Sequence, residues 1–267
     1  MSAFDRRYDA LRLERPQPEV LLVVMNRPTA RNAFNTAMAT ELLTVFQALA
    51  HEPDGVRAAV LTGEGDRAFC AGADLKERRG MNEAAWRAQH KIFEDMARAI
   101  LDCPIPVIGA VNGAAFGGGC ELALACDFAY AADDARFALT ETSIGLIPGI
   151  GGTQLLPRRV GTARAKEILL SARPFSAEEA AAWGIVNRLC ARETLVPETL
   201  ATAARIAANA PLAVAQAMRA VDQGMESGLA QGLAVELDCY DKLVGTEDVA
   251  EGVAAFNEKR QPVFKGK

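Results

Sequence analysis

Histidine is scarce in this chain, and zinc-site spacing is missing. Only His51 and His90 occur among 267 residues, both far in sequence from the six cysteines, and no cysteine pair is spaced C-x-x-C. That leaves no zinc-binding pattern, and the thiols read as small hydrophobes of a reducing compartment. No stretch reaches the roughly 18 apolar residues of a membrane span; candidates are broken by proline, glycine or charge, as at Pro104-Ile-Pro-Val-Ile-Gly109. An excess of positive charge is also lacking. The 29 Lys and Arg against 34 Asp and Glu leave a net charge of −5, which argues against a general nucleic-acid footprint but leaves room for a local cationic pocket. Charges in the opening Met-Ser-Ala-Phe-Asp-Arg-Arg-Tyr-Asp fall where a signal peptide needs its apolar core, so a soluble cytoplasmic protein is expected. G-x-x-x-x-G-K, H-E-x-x-H and G-x-S-x-G are absent, which removes the usual signatures of phosphate-loop, zinc-protease and nucleophile-elbow chemistry.

What is present is a core. Half of the residues are hydrophobic and 24% are charged, so a folded domain is expected rather than disorder. Strands are expected over 19–26, 56–62, 106–112, 127–131, 135–139 and 186–189, with a short extended piece at 68–72. Helices are expected over 33–50, where Phe34, Met38, Leu42, Val45, Phe46 and Leu49 share one face, over 82–101, within 120–126, and near 162–171 and 176–183. Ser176-Ala-Glu-Glu179 is a capping box. From about 194 onward the pattern is helical, with Leu229, Leu233, Leu237 and Tyr240 on one stripe and Val249, Val253 and Phe256 on another. The chain thus divides into an α/β part, 1–195, and a helical part, 196–267. Periodicity alone leaves open whether the sheet is doubly wound or spiralled.

One motif is a decoy. Gly63-Glu-Gly-Asp-Arg-Ala68 fits G-x-G-x-x-A after a strand, but Phe69-Cys-Ala-Gly follows where a dinucleotide-binding turn opens a helix. Three other segments carry chemistry. In Phe69-Cys-Ala-Gly-Ala-Asp-Leu-Lys76 the small residues let a ligand approach backbone N–H groups, although a tight turn explains them equally well. In Gly117-Gly-Gly-Cys-Glu121 three glycines open a helix whose free N–H groups and dipole suit an oxyanion. Gly118 and Glu121, three apart, share a face, and apolar packing would not choose Glu121 within Cys120 to Cys126; its bland role is as a partner of the helix dipole. Glu141, just after a strand and close to Ile147-Pro-Gly-Ile-Gly-Gly152, is a second acid that alone reads as a solvated loop residue. Together these describe acyl chemistry with two N–H donors and two carboxylates.

At these residues the chain resembles the crotonase (enoyl-CoA hydratase/isomerase) superfamily over nearly its whole length. The matching stretches are Asn26-Arg-Pro with Arg31-Asn-Ala33, Phe69 to Lys76, Asn112-Gly-Ala-Ala-Phe-Gly-Gly-Gly-Cys-Glu-Leu122, Glu141 with Gly145-Leu-Ile-Pro-Gly-Ile-Gly-Gly-Thr-Gln154, and Ala255-Phe-Asn-Glu-Lys-Arg260. Their order and spacing are what make the match specific. The resemblance implies a spiral of ββα units with a C-terminal helical trimerisation region, assembled as a homotrimer or homohexamer. It implies that the amides of Ala73 and Gly118 form an oxyanion hole and that Glu121 and Glu141 are the catalytic acids, with Glu121 activating water and Glu141 delivering a proton to carbon. It also implies a coenzyme A thioester as substrate, with no separate cofactor and no metal. The CoA would be gripped around Ala71, Asp74 and Leu75, at the turn of Arg31 and Ala33, and by Phe256 and Lys259 from a neighbouring subunit.

Both acids are kept, which among relatives of this type goes with hydration of a 2-enoyl-CoA; isomerases typically keep only the second. Cys70 to Arg78 and Leu139-Thr-Glu-Thr with Leu156-Pro-Arg resemble methylglutaconyl-CoA hydratases most, and a short-chain enoyl-CoA hydratase fits equally. A substrate with a distal carboxylate would call for a cation, with Lys76, Arg78 and Arg79 as candidates, and Phe116, Ile144 and residues 76–90 are expected to wall the acyl pocket. A lysine-rich first helix that binds RNA in one branch has no counterpart, since 33–50 contain no Lys or Arg, so no nucleic-acid partner and no membrane are expected.

Overall fold

The computed structural model describes residues 2–267. Its core begins with an antiparallel pair, β1 (Leu11–Gln17) and β2 (Val20–Met25). Every residue of β2, Val-Leu-Leu-Val-Val-Met, is buried, as expected of a strand covered on both faces. After α1 (Thr36–His51), the chain runs through β3 (Ala58–Gly63), β4 (Ala68–Cys70), α2 (Glu83–Leu101), β5 (Val107–Val111), β6 (Ala114–Phe116), α3 (Gly118–Ala125), β7 (Phe128–Ala132) and β8 (Arg136–Ala138). There follow α4 (Gly152–Val160), α5 (Thr162–Ser171), β9 (Phe175–Ser176), α6 (Ala177–Ala182), β10 (Arg188–Cys190) and four helices, α7 (Arg192–Ala207), α8 (Pro211–Met225), α9 (Leu229–Asp241) and α10 (Glu247–Glu258).

The strands form two sheets, one in the order β1-β2-β3-β5-β7-β10 and the other β4-β6-β8-β9. Consecutive strands alternate between them: β3 then β4, β5 then β6, β7 then β8. Each ββα unit therefore advances one strand in both sheets, with β3, β5 and β7 parallel neighbours in the first and β4, β6 and β8 in the second. That is a spiral, the alternative that periodicity left open. Helices α1 and α2 pack together on one side, started by Asn35 and Asn82, whose side chains accept from the amides of Met38 and Ala85.

Five elements depart from expectation, among them β6 (Ala114–Phe116) and β9 (Phe175–Ser176), which are too short to show a periodicity. Strand β1 was not anticipated, because its Leu-Arg-Leu-Glu-Arg stretch is largely exposed along the sheet edge. Helix α4 was not anticipated either, because two glycines open it and Pro157 interrupts it. The last strand lies at Arg188–Cys190 instead of 186–189: the amides of Ile185 and Val186 donate to Ala180 O and so close α6. Residue 195 falls inside α7, which packs across β3, β5 and β7, whereas α8 and α9 pack on each other. Among the described residues, no helix is long and apolar enough to cross a membrane.

Candidate active site

The glycines at 117, 118 and 119 are required for three different reasons. Gly117 turns the chain from β6 into α3 with φ 53° and ψ −127°, a backbone that a residue bearing Cβ avoids. At Gly118 a Cβ would sit 2.6 Å from Cζ of the buried Phe34 ring. At Gly119 it would sit 1.9 Å from the carbonyl oxygen of Cys70. Helix α3 is thereby pressed against the end of β4, where the chain continues into Ala71-Gly-Ala73.

That second segment is laid against the first by its own glycine. Gly72 has φ +93°, and a Cβ there would meet Phe116 O at 2.8 Å and Gly118 N at 3.3 Å. On its other side the segment is stitched to the turn at 31–34: Ala71 N donates to Arg31 O (3.1 Å), Phe34 N to Gly72 O (2.9 Å) and Asp74 N to Phe34 O (2.8 Å). Because N–H groups alternate along an extended chain, the Ala73 N–H points away from Phe34. Gly118 N is the first amide of α3, so it has no acceptor within the helix. Neither amide has a hydrogen-bond partner among the described residues.

One turn into α3, Glu121 is 3% exposed. Its Oε1 accepts from Ile150 N (3.0 Å) and Gly152 N (2.7 Å), the loop and first amide of α4. Burial raises its carboxyl to about 7; the two amides oppose this, and nearby Glu141 adds to it. Glu141 opens a short 3-10 turn after β8, and its Oε1 would lie 3.2 Å from a Cβ at Gly117. Its Oε2 is buried without a partner among the described residues, and burial raises this carboxyl too.

A single cavity of about 670 Å³ is walled by Ala71, Ala73, Leu75, Gly118, Glu121 and Glu141 among others. The structure thus brings together the four residues assigned to chemistry and two of those assigned to CoA. Asp74 is not part of the wall; its Oδ2 accepts from Arg27 Nη2 at 3.0 Å and so ties the two loops. Arg31, Ala33, Phe256 and Lys259 are not part of the wall either. Phe256 is 84% exposed on α10, and Lys259 caps that helix with left-handed backbone. Ile144 lines the cavity, but Phe116 does not; of the three candidate cations only Arg78 does, while Lys76 and Arg79 edge an adjoining depression. The amides of Ile150 and Gly152, which aim Glu121, were missed. Main-chain donors carry no side-chain signature, and the glycines of that loop were their only trace.

Residues 15–267 match the family model described as enoyl-CoA hydratase/isomerase. A crotonyl-CoA hydratase from Syntrophomonas wolfei is 38% identical over 260 residues, spanning 97% of this chain and 99% of that protein. The mouse mitochondrial methylglutaconyl-CoA hydratase is 37% identical over 258 residues, 95% of this chain and 82% of that one. The crystal structure of an enoyl-CoA hydratase from Bacillus anthracis superposes with a TM-score of 0.94 at 40% identity, covering 97% of this chain and all of that one. The chain belongs to the enoyl-CoA hydratase/isomerase family, and its fold is that of the crystallised enoyl-CoA hydratase.

Proposed function

We propose that the protein is a hydro-lyase that reversibly adds water to a 2-enoyl-CoA, giving a 3-hydroxyacyl-CoA. The observation that carries this is the meeting of two acids and two unpartnered amides in one cavity. The thioester oxygen accepts from Ala73 N–H and Gly118 N–H, which stabilise the enolate charge as it develops and draw electrons from the β-carbon. A water oxygen bonds to that carbon while its proton passes to Glu121. Glu141 releases its proton to the α-carbon. The pair is then reset when the proton returns from Glu121 to Glu141 directly or through solvent, so the sum of the steps is one water added across the double bond.

The hydrogen bonds support this division of roles. Two amides on Glu121 Oε1 favour its ionised form, whereas the unpartnered Oε2 of Glu141 favours a proton. A single acid suffices to move a double bond, so the fixed orientation of the second favours hydration over isomerisation. Methylglutaconyl-CoA is the narrower candidate substrate, alongside a short-chain enoyl-CoA such as crotonyl-CoA. The thioester is the substrate and no separate cofactor is needed, with CoA held by the backbone around 71–75 and 31–33. Phe256 and Lys259 would serve the adenosine end across a trimer or hexamer contact, which the apolar, exposed Leu229, Leu237, Val253 and Phe256 support.

Incubation with crotonyl-CoA, followed by loss of the conjugated enoyl absorbance, is expected to give 3-hydroxybutyryl-CoA. Isomerisation of a 3-enoyl-CoA without any hydration would point to an isomerase, and no turnover of either, with CoA still bound, to a binding or assembly protein.

A further inference from the structure

His90, one of two histidines in the chain, has no part in the chemistry described so far. It stands on α2 in the cavity wall, against the loop that aims Glu121. A Cβ at Gly149 would sit 2.6 Å from its Cε1 and 2.8 Å from its Nε2, so the edge of the imidazole rests on the Gly149 main chain. Nε2 is also 3.5 Å from Glu94 Oε1, one turn further along α2, which restrains rotation of the ring. Among the described residues no hydrogen bond joins the ring to the loop. The contact is one of packing.

The loop has little framework of its own. Ile147-Pro-Gly-Ile-Gly-Gly152 holds three glycines in six positions, and glycine leaves the backbone wide freedom. Among the described residues, 147–149 make no hydrogen bond to other main chain. Yet this loop has to bring the amides of Ile150 and Gly152 onto one carboxylate oxygen. Two of its sides are seated on the site itself. A Cβ at Gly152 would lie 3.1 Å from Glu121 Cγ, and Ile150 Cδ1 would lie 3.7 Å from a Cβ at Gly118. His90 covers a third side, at the residue next to Ile150. Glu141 is carried by a different segment, the turn after β8.

We propose that His90 is a positioning residue for hydration: its ring, packed on Gly149, fixes the loop whose amides orient Glu121. This rests on the hydratase reading above and on Glu121 as the group that takes the proton from water.

The test follows two reactions in the full-length protein, in His90→Ala and in His90→Phe. One is hydration of crotonyl-CoA, and the other is exchange of the α-protons of butyryl-CoA with solvent deuterium, which needs Glu141 but not Glu121. A catalytic group displaced by about 1 Å loses up to about 10²-fold. For His90→Ala we expect kcat for hydration to fall by about tenfold, with KM within about twofold of native and exchange retained. The ratio of exchange to hydration thus rises by about tenfold, and a ratio taken within one variant is insensitive to the fraction folded. His90→Phe, which keeps a flat ring without the nitrogens, is expected to stay within about threefold of the native ratio. An unchanged ratio in His90→Ala, a rise in KM with kcat unchanged, or a His90→Phe protein as impaired as His90→Ala overturns the proposal. Failure of the native protein to hydrate crotonyl-CoA while it exchanges α-protons would instead overturn the hydratase reading.

Discussion

Replacing Glu121 by glutamine is expected to lower kcat for 2-enoyl-CoA hydration by about 10²–10⁴-fold, the usual size of a lost general acid or base, and Glu141→Gln to do the same. The two are told apart by the reverse proton transfer. The group that delivers a proton to the α-carbon also removes it, so exchange of the α-protons of butyryl-CoA with deuterium in solvent is expected to survive in Glu121→Gln and to vanish in Glu141→Gln. The opposite pattern would exchange the roles. In the native protein kcat/KM is expected to be bell-shaped, since the reaction needs one proton on the pair; the two apparent values belong to the pair jointly.

The same substitution has a signed effect on stability. Burial raises Glu121 from its ordinary 4.5 to about 7. Below about pH 4.5 both folded and unfolded chains hold the proton, and burying the group carries no ionisation penalty. Between there and neutrality the unfolded chain ionises first and stability falls; above about pH 7 the loss is complete at about 3 kcal/mol. Glutamine removes this loss and keeps an oxygen for the amides of Ile150 and Gly152. The melting temperature of Glu121→Gln relative to the native protein is therefore expected to rise between pH 4.5 and about pH 8, by on the order of 5–10 °C. A constant difference across that range would contradict the burial of an ionised carboxylate.

The second large effect is expected at Gly119, which is not part of the cavity wall. A methyl group there would lie 1.9 Å from Cys70 O, 2.6 Å from Cys70 C and 2.9 Å from Cys70 Cβ. Main chain cannot rotate aside, so Gly119→Ala must push α3 off the end of β4. Such overpacking costs about 1–3 kcal/mol or more, and it separates Gly118 N from Ala73 N. We expect a lowered melting temperature together with a fall in kcat/KM of about 10²–10³-fold, the effect of losing one oxyanion donor. Gly228→Ala serves as the control, because a Cβ at Gly228 meets nothing within 4 Å. Native activity in Gly119→Ala would mean that the two segments need not be in contact.

What could be read from the residues depended on side chains in regular patterns. The apolar stripe of α1, the buried run of β2 and the glycines ahead of α3 are visible because each is local. Glu121 stands out because an acid within an apolar helix has no packing reason to be there. The alternation of strands between two sheets is invisible locally, since β4, β6 and β8 have three residues each and their partners lie some 20 to 50 residues away in the chain. Arg78 shows the same limit. In Lys76-Glu-Arg-Arg79 it reads as one of three equivalent candidate cations, and only the approach of Gln89, Trp86 and Phe93 from α2 buries it.

The proposed hydration depends on two amides serving one oxygen atom. The direct measurement is a crystal structure of the protein with acetoacetyl-CoA, whose thioester oxygen shares the delocalised negative charge of its enolate form. That oxygen is expected within about 2.7–3.1 Å of both Ala73 N and Gly118 N, with the β-carbon between Glu121 and Glu141. An oxygen bound by only one of the amides, or a thioester lying outside the cavity, would contradict it.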